Sequence, residues 1–314
     1  MRLSDIKLKD HTITIIRRCF QVIFFLLINY LILEFIFTIN LSGLEGIFKV
    51  FPVLNSPRNP LSKGTGIIEI IFYSIGEGVF PAFLIGIFFI IILFTNRFFC
   101  GWVCPIGTIQ DIMTAIPTKK RNFKPKTHNN LLKAKYVIII LLVIIIFPLG
   151  IAKNTSIYFY LEYKNQFGLL TQKPVGFFSL SEFIFVYFPN MIREFWLTGN
   201  LLFFNDLGSF VIFAFYIAIM AFSLWYPRFY CRYFCPYAAI ASAISDYSFL
   251  KLARNPVKCV GRAECGICEK ICPKQIRLLD EPFEFFTGKG ECNLCLKCKE
   301  KCPYEAIIVK FGNV

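Results

Sequence analysis

Eight cysteines near the C-terminus are spaced as metal ligands. One run reads Cys292-x2-Cys295-x2-Cys298-x3-Cys302-Pro303, and an earlier one reads Cys259-x5-Cys265-x2-Cys268-x3-Cys272-Pro273. Cysteines two residues apart let the backbone curl around one face of an iron–sulfur cube, and the fourth cysteine of such a run ligates the other cluster. Crossing the fourth cysteines gives two [4Fe–4S] sites. The first takes Cys259, Cys265, Cys268 and Cys302; the second takes Cys292, Cys295, Cys298 and Cys272. The Cys259–Cys265 interval is longer than its counterpart by three residues. Its loop, Val260 to Glu264, is expected to bulge outward and alter the exposure of the first cluster. Eight cysteines would also hold two zinc ions, but zinc modules rarely show three cysteines at successive two-residue spacing followed by x3-Cys-Pro.

Four further cysteines fall in a repeat. Arg97-Phe-Phe-Cys100-Gly-Trp-Val-Cys104-Pro105 matches Arg228-Phe-Tyr-Cys231-Arg-Tyr-Phe-Cys235-Pro236. Residues four apart share a helix face, so each pair of thiols can share a metal or close on each other. The proline sets a boundary just after. If the two copies face each other, four sulfurs converge into a site suited to a further iron–sulfur centre or a soft metal. Four reduced cysteines packing at helix ends is the bland reading, and repetition of the pattern argues against it. Cys19, alone at the start of an apolar run, is expected to be a small buried side chain.

The elements that position these thiols are apolar helices. The chain has 314 residues, of which 56% are hydrophobic and 18% aromatic, above the usual share for soluble domains. Long apolar runs at about 20–40, 80–96, 136–152 and 207–226 are expected to span a membrane. The expected fold class is an α-helical polytopic membrane protein, about four transmembrane helices in two repeated pairs, with a small C-terminal α+β ferredoxin-like domain. The expected boundaries are 1–254 for the membrane domain, with its Cys-x3-Cys-Pro motifs at 100–105 and 231–236, and 255–314 for a bacterial-type ferredoxin domain. Ile67–Val79 and Phe177–Trp196 read as interfacial or re-entrant pieces on the outer side; a six-span arrangement is the alternative.

Charge gives the orientation. Lys and Arg number five in the N-terminal segment, eight between Arg97 and Lys135 and fourteen after the fourth run, against three in 41–78 and four in 153–206. Positive charge gathers on the cytoplasmic side, so both termini of this multi-pass inner (plasma) membrane protein are expected in the cytoplasm. The same asymmetry accounts for the net charge of +14 without nucleic acid as a partner. The only histidines, His11 and His128, do not form a pair across the bilayer, which argues against haem. No glycine-rich dinucleotide fingerprint is present.

Apolar spans, two Cys-x3-Cys-Pro motifs at cytoplasmic helix ends and a paired ferredoxin tail resemble the NapH/NosR-type membrane-bound ferredoxins, over nearly the whole chain. The resemblance implies membrane electron transfer, often assigned as quinol oxidation, with lipid, the quinol pool and a terminal reductase or other redox protein as partners. The chain lacks the large outer flavin domain and the extra C-terminal outer domain of some members, and its Cys259–Cys265 interval is a departure. The leading expectation is a quinol dehydrogenase-type oxidoreductase subunit in which Cys100, Cys104, Cys231 and Cys235 take part. Glu34, an intramembrane carboxylate near Asn29, is the candidate proton acceptor; a hydrogen-bonded structural role is its alternative. The competing functions are a factor that reduces or assembles a metallocentre such as copper through the paired thiols, and a conduit with no quinol site.

Overall fold

A computed structural model describes residues 11–38, 40–41, 43, 45–47, 51–54, 66–168, 171, 175–199 and 207–312. The N-terminal residues 1–10 and residue 39 of the first expected span lie outside them. The labelled elements are α1 (Thr12–Ile28), α2 (Tyr30–Phe37), α3 (Ile67–Gly76), α4 (Ala82–Thr95), α5 (Phe98–Trp102), α6 (Pro105–Ala115), α7 (Ala134–Thr155), α8 (Leu207–Trp225), α9 (Phe229–Tyr233), α10 (Pro236–Ser245), β1 (Leu250–Arg254) and β2 (Ile307–Phe311).

All four apolar runs are helical, but not as four equal spans. A helix from Pro125 to Thr155 and one from Gly208 to Trp225 are long and apolar enough to cross a membrane, and α1 with α2 makes a third if taken as one bent span. The first expected span therefore needs correction. Helix begins at Thr12, and the chain turns by 74° between α1 and α2. Asn29 leaves helical geometry there (φ −92°, ψ 42°) and is fully buried. The second expected span is the 14-residue α4, about 21 Å long at about 1.5 Å per residue, less than a bilayer core. The third runs on through Pro148 without a break.

By the packing of its chain segments the protein divides into two compact units. Residues 1–25, 86–108 and 238–314 form one; 26–85 and 109–237 form the other. The tail joins residues ahead of 255 because β1 is half of its sheet. β1 pairs antiparallel with β2 from Leu250↔Phe311 to Arg254↔Ile307. Leu252, Ile276, Leu278, Phe286, Leu294 and Ile307 form the core beneath that pair, with Cys292 and Cys298 among them. The end of α4 is stitched to the sheet: the Phe249 N–H donates to the Leu93 carbonyl at 2.7 Å, and Asn96 Nδ2 donates to the Leu250 carbonyl at 2.9 Å. Glu300 receives the Thr14 N–H at 2.7 Å and the Thr14 hydroxyl. A carboxylate thus meets the first turn and positive dipole end of α1.

In the second unit α3 lies against α7 closely enough that a Cβ on Gly150 would stand 2.1 Å from the Ile75 carbonyl. Ile67, Ile68, Ile71 and Phe72 are buried, so one face of this helix packs inside the unit. The segment from 175 onward is also interior at its start. It breaks into Gly176–Phe178, Leu180–Glu182 and Phe183–Tyr187 before a regular helix, Phe188–Thr198. Its open backbone is held by buried side chains. Glu69 accepts the Val175 N–H (3.1 Å), Tyr216 donates to the Phe177 carbonyl (2.7 Å), and Tyr230 donates to the Phe178 carbonyl (2.6 Å). Buried irregular backbone needs such partners.

Candidate iron–sulfur and electron-transfer site

In the first unit, eight cysteines line two cavities. Cys259, Cys265, Cys268 and Cys302 surround one, together with Arg254, Ile267, Leu279 and Ile307. Cys272, Cys292, Cys295 and Cys298 surround the other, with Leu252, Ile276, Leu278 and Asn293. Local backbone explains how each run wraps its cavity. Gly266, Leu294 and Leu296 hold left-handed φ values of 62°, 48° and 57°, turning the chain between neighbouring cysteines. Each x3 interval is a short helix, Ile267–Lys270 or Lys297–Glu300.

The cavities suit a cluster better than a single ion. Among the described residues no three His, Cys, Asp or Glu side chains lie close enough to hold one metal ion. Zinc would need its four sulfurs about 2.3 Å from a common centre, whereas an iron–sulfur cube holds its thiolates farther apart. Burial pushes the Cys268 thiol up to about 11 and the Cys292 thiol up to about 12, with Glu269 adding to the first rise and the neighbouring Cys295 to the second. Such thiols stay protonated unless a positive core draws them to thiolate. Two buried N–H groups on the cavity walls also lack protein partners, Arg254 Nε and Asn293 Nδ2. Donors of this kind are what cluster sulfurs accept from.

The two cavities differ in surroundings. Cys292, Cys295 and Cys298 are buried, whereas all four cysteines of the other cavity are partly exposed. The first cavity has a cation at its wall: Arg254 Nη1 lies 3.9 Å from Cys259 Sγ, and its guanidinium stacks over Phe283 at 4.4 Å. Nη2 of the same side chain donates to the Leu279 and Glu281 carbonyls. The long Cys259–Cys265 loop folds as a helical turn, Gly261–Glu264, and Arg262 pins it outward to Glu269 and Asp280.

Cys100 and Cys104 belong to this first unit, Cys231 and Cys235 to the second. All four are buried. In each copy the helix carrying the first cysteine stops before the second, and a new helix starts at the proline, α6 or α10. The arginine heading each copy is buried on a partner that the sequence does not reveal. Arg97 is fully buried and donates from Nη1 to the Gly290 carbonyl and Glu291 Oε2, both at 3.0 Å. Arg228 is equally buried and bidentate on Asp111, with bonds of 2.9 and 2.7 Å. Beside Cys231, Arg232 and Tyr233 meet His128 Nδ1 at 3.2 and 2.8 Å.

Glu34 is half-buried, and its Oε1 accepts the Leu41 N–H at 2.9 Å. The deeper carboxylates, Glu69 and Glu182, were not legible as such in segments expected at an interface. Glu182 is 3% exposed and follows Leu180, whose N–H donates to the Tyr230 hydroxyl next to Cys231. Cys19, expected to be buried, is exposed on α1. Between the ends of α3 and α7 lies an open, largely apolar groove lined by Ile75, Val79, Phe80, Phe147, Ile151 and Asn154. It sits at the far end of α7 from His128 and its partners on α9.

The comparisons bear on the repeat. A family model described as a 4Fe-4S binding domain matches residues 78–124 and 209–254. Both segments centre on a Cys-x3-Cys-Pro copy, and the tail cysteines lie beyond them. The uncharacterized protein MJ0750 of Methanocaldococcus jannaschii is 27% identical over 229 residues, 71% of this chain and 76% of the relative. YccM of Escherichia coli, described as a putative electron transport protein, is 26% identical over 241 residues, 74% of this chain and 57% of YccM. Protein NirI of Paracoccus denitrificans is 25% identical over 264 residues, 83% of this chain but 31% of NirI. No solved structure matches. Similarity to 4Fe–4S binding domains thus falls on both copies of the repeat, in a chain whose tail separately gathers two sets of four cysteines.

Proposed function

We propose that this protein is a membrane-bound electron-transfer subunit of the NapH/NosR type that oxidises quinol at its apolar helices. The observation that carries the reading is the pair of cavities, each lined by four cysteines, in a chain with membrane-length apolar helices. Cys259, Cys265, Cys268 and Cys302 would hold one [4Fe–4S] cluster, and Cys272, Cys292, Cys295 and Cys298 the other. Bound there, each cluster supplies a one-electron couple. The two together match the two electrons of one quinol, whose two protons leave to carboxylates and water.

The chain's own residues divide the remaining work. Cysteine thiolates hold the clusters, and Arg254 and Asn293 offer N–H groups beside them. Glu34 keeps Oε2 to receive a proton while Oε1 holds the Leu41 N–H. Glu182, buried on the segment bonded to Tyr230, is a second acceptor. Both termini lie on the cytoplasmic side in this reading, and the electrons leave to a reductase or other redox protein.

Anaerobic protein in detergent, mixed with menadiol, tests the reading. The visible absorbance of the clusters should bleach and recover on adding menadione. Glu182→Gln or Glu34→Gln should slow the bleaching and leave iron content intact. A second reading, reduction or assembly of a metallocentre, draws on the two buried thiol pairs. It predicts tight copper(I) binding that is lost in Cys100→Ser and Cys231→Ser, with no response to quinol.

A further inference from the structure

The two copies of the repeat match in sequence but not in what their matching residues touch. In the first copy, position 101 between the cysteines is glycine. A Cβ there would stand 2.2 Å from the Asn293 carbonyl oxygen, so no side chain fits. The next residue, Trp102, is buried and donates from Nε1 to the Leu294 carbonyl at 2.9 Å. Arg97, one turn earlier, reaches the Gly290 carbonyl and Glu291. Three residues of one motif therefore grip a single stretch, 290–294, that contains Cys292, the first cysteine of its ligand run. Gly290 is itself tightly placed: φ is +73°, and a Cβ there would meet the Ser242 carbonyl at 1.9 Å.

In the second copy the residue matching Gly101 is Arg232, buried against His128 and Tyr233. The residue matching Arg97 is Arg228, whose guanidinium is committed to Asp111. An arginine side chain placed at position 101 would collide with the Asn293 backbone. The duplication has kept the cysteines and changed the docking chemistry.

We infer that the first copy of the repeat is the electron port of the tail, and that it serves the site of Cys272, Cys292, Cys295 and Cys298. Gly101, Trp102 and Arg97 are its positioning residues. Burial fits this order. The site gripped by the motif has three buried cysteines, and the other has four partly exposed ones, as suits exchange with a separate protein. The inference rests on the proposed presence of clusters and of quinol as reductant: one quinol becomes quinone, releasing two protons and two electrons, one for each cluster.

The test uses full-length protein in two arms. In the first, clusters are reduced with dithionite and examined by EPR. Gly101→Ala and the milder Trp102→Phe should alter the signal of the Cys292 site alone, which is identified by its loss in Cys295→Ser. An altered signal from the Cys259 site, or no alteration in either, overturns the docking. In the second arm, freeze-quench EPR follows reduction by menadiol. Cys265→Ser, lacking the outer cluster, should reduce its remaining cluster at the wild-type rate. Cys295→Ser should reduce its remaining cluster at least tenfold more slowly, although dithionite still reduces it fully. Equal rates in the two variants overturn the order. Failure of menadiol to reduce the wild type refutes the quinol reading instead, and the dithionite arm still decides the docking.

Discussion

Replacing Arg254 with methionine should lower the reduction potential of the site lined by Cys259, Cys265, Cys268 and Cys302. The Arg254 side chain is buried, with Nη1 3.9 Å from Cys259 Sγ. A unit charge pair at about that distance interacts by about 4 kcal/mol at an effective dielectric constant near 20. For a one-electron couple that is a ceiling of about 180 mV, since tenfold in the equilibrium corresponds to about 59 mV. The added electron is shared over the whole cube, so its mean distance from the guanidinium is greater. A fall of about 50–100 mV is therefore expected, within the range that charge and hydrogen bonding to sulfur control. Methionine keeps an apolar stem to cover Phe283, which the guanidinium now stacks against. Arg254→Lys, which keeps the charge but not the fork, should shift the potential by less than half as much. The assay is an EPR-monitored redox titration with iron content measured alongside. Equal potentials in wild type and Arg254→Met at full iron occupancy would refute the electrostatic argument. Equal shifts in the methionine and lysine variants would show that bonding geometry, rather than charge, sets the potential.

Other substitutions separate buried from exposed contacts. Arg228→Met leaves Asp111 buried without its bidentate partner and should cost about 3–5 kcal/mol; combining it with Asp111→Leu should restore most of the loss, read as thermal unfolding in detergent. Gly290→Ala forces a side chain onto the Ser242 carbonyl in a left-handed backbone, so iron should be lost from the Cys292 site before the Cys259 site, measured by EPR spin counts. Arg262→Ala breaks an exposed pair of ion bridges and should change stability by about 1 kcal/mol or less, with both clusters retained; loss of iron there would mean that the long Cys259–Cys265 loop depends on that arginine.

The grouping of the tail cysteines was legible because ligand spacing is a local constraint. Three cysteines at two-residue intervals, as at Cys292, Cys295 and Cys298, can curl around one centre, whereas the place of Cys272 and Cys302 depends on the fold. The apolar runs were legible as helices for a similar reason, since hydropathy is additive along the chain. Their lengths and bends were not. Asn29 is a single polar residue in a long apolar run, and nothing local distinguishes it from a tolerated helical asparagine. The start of α1 at Thr12 depends on Glu300, almost the whole chain away, and β1 depends on β2. Pairings at such separation leave no periodic signal. The same holds for the arginines: Arg97 and Arg228 head matching motifs, yet one meets Glu291 and the other Asp111. The burial of Glu69 was not readable from its neighbours in sequence because its partner, the Val175 N–H, comes from elsewhere in the fold. Gly101 was visible as a difference between the copies, but only the position of Asn293 gives the difference a meaning.

Iron and acid-labile sulfide analysis of anaerobically purified full-length protein, combined with EPR during quinol titration, tests the central claim most directly. Two four-iron clusters in the tail predict about eight irons per chain, two reduced-cluster signals, and reduction of both by quinol. One or two metal ions per chain without labile sulfide, or full clusters that no quinol reduces, would contradict it.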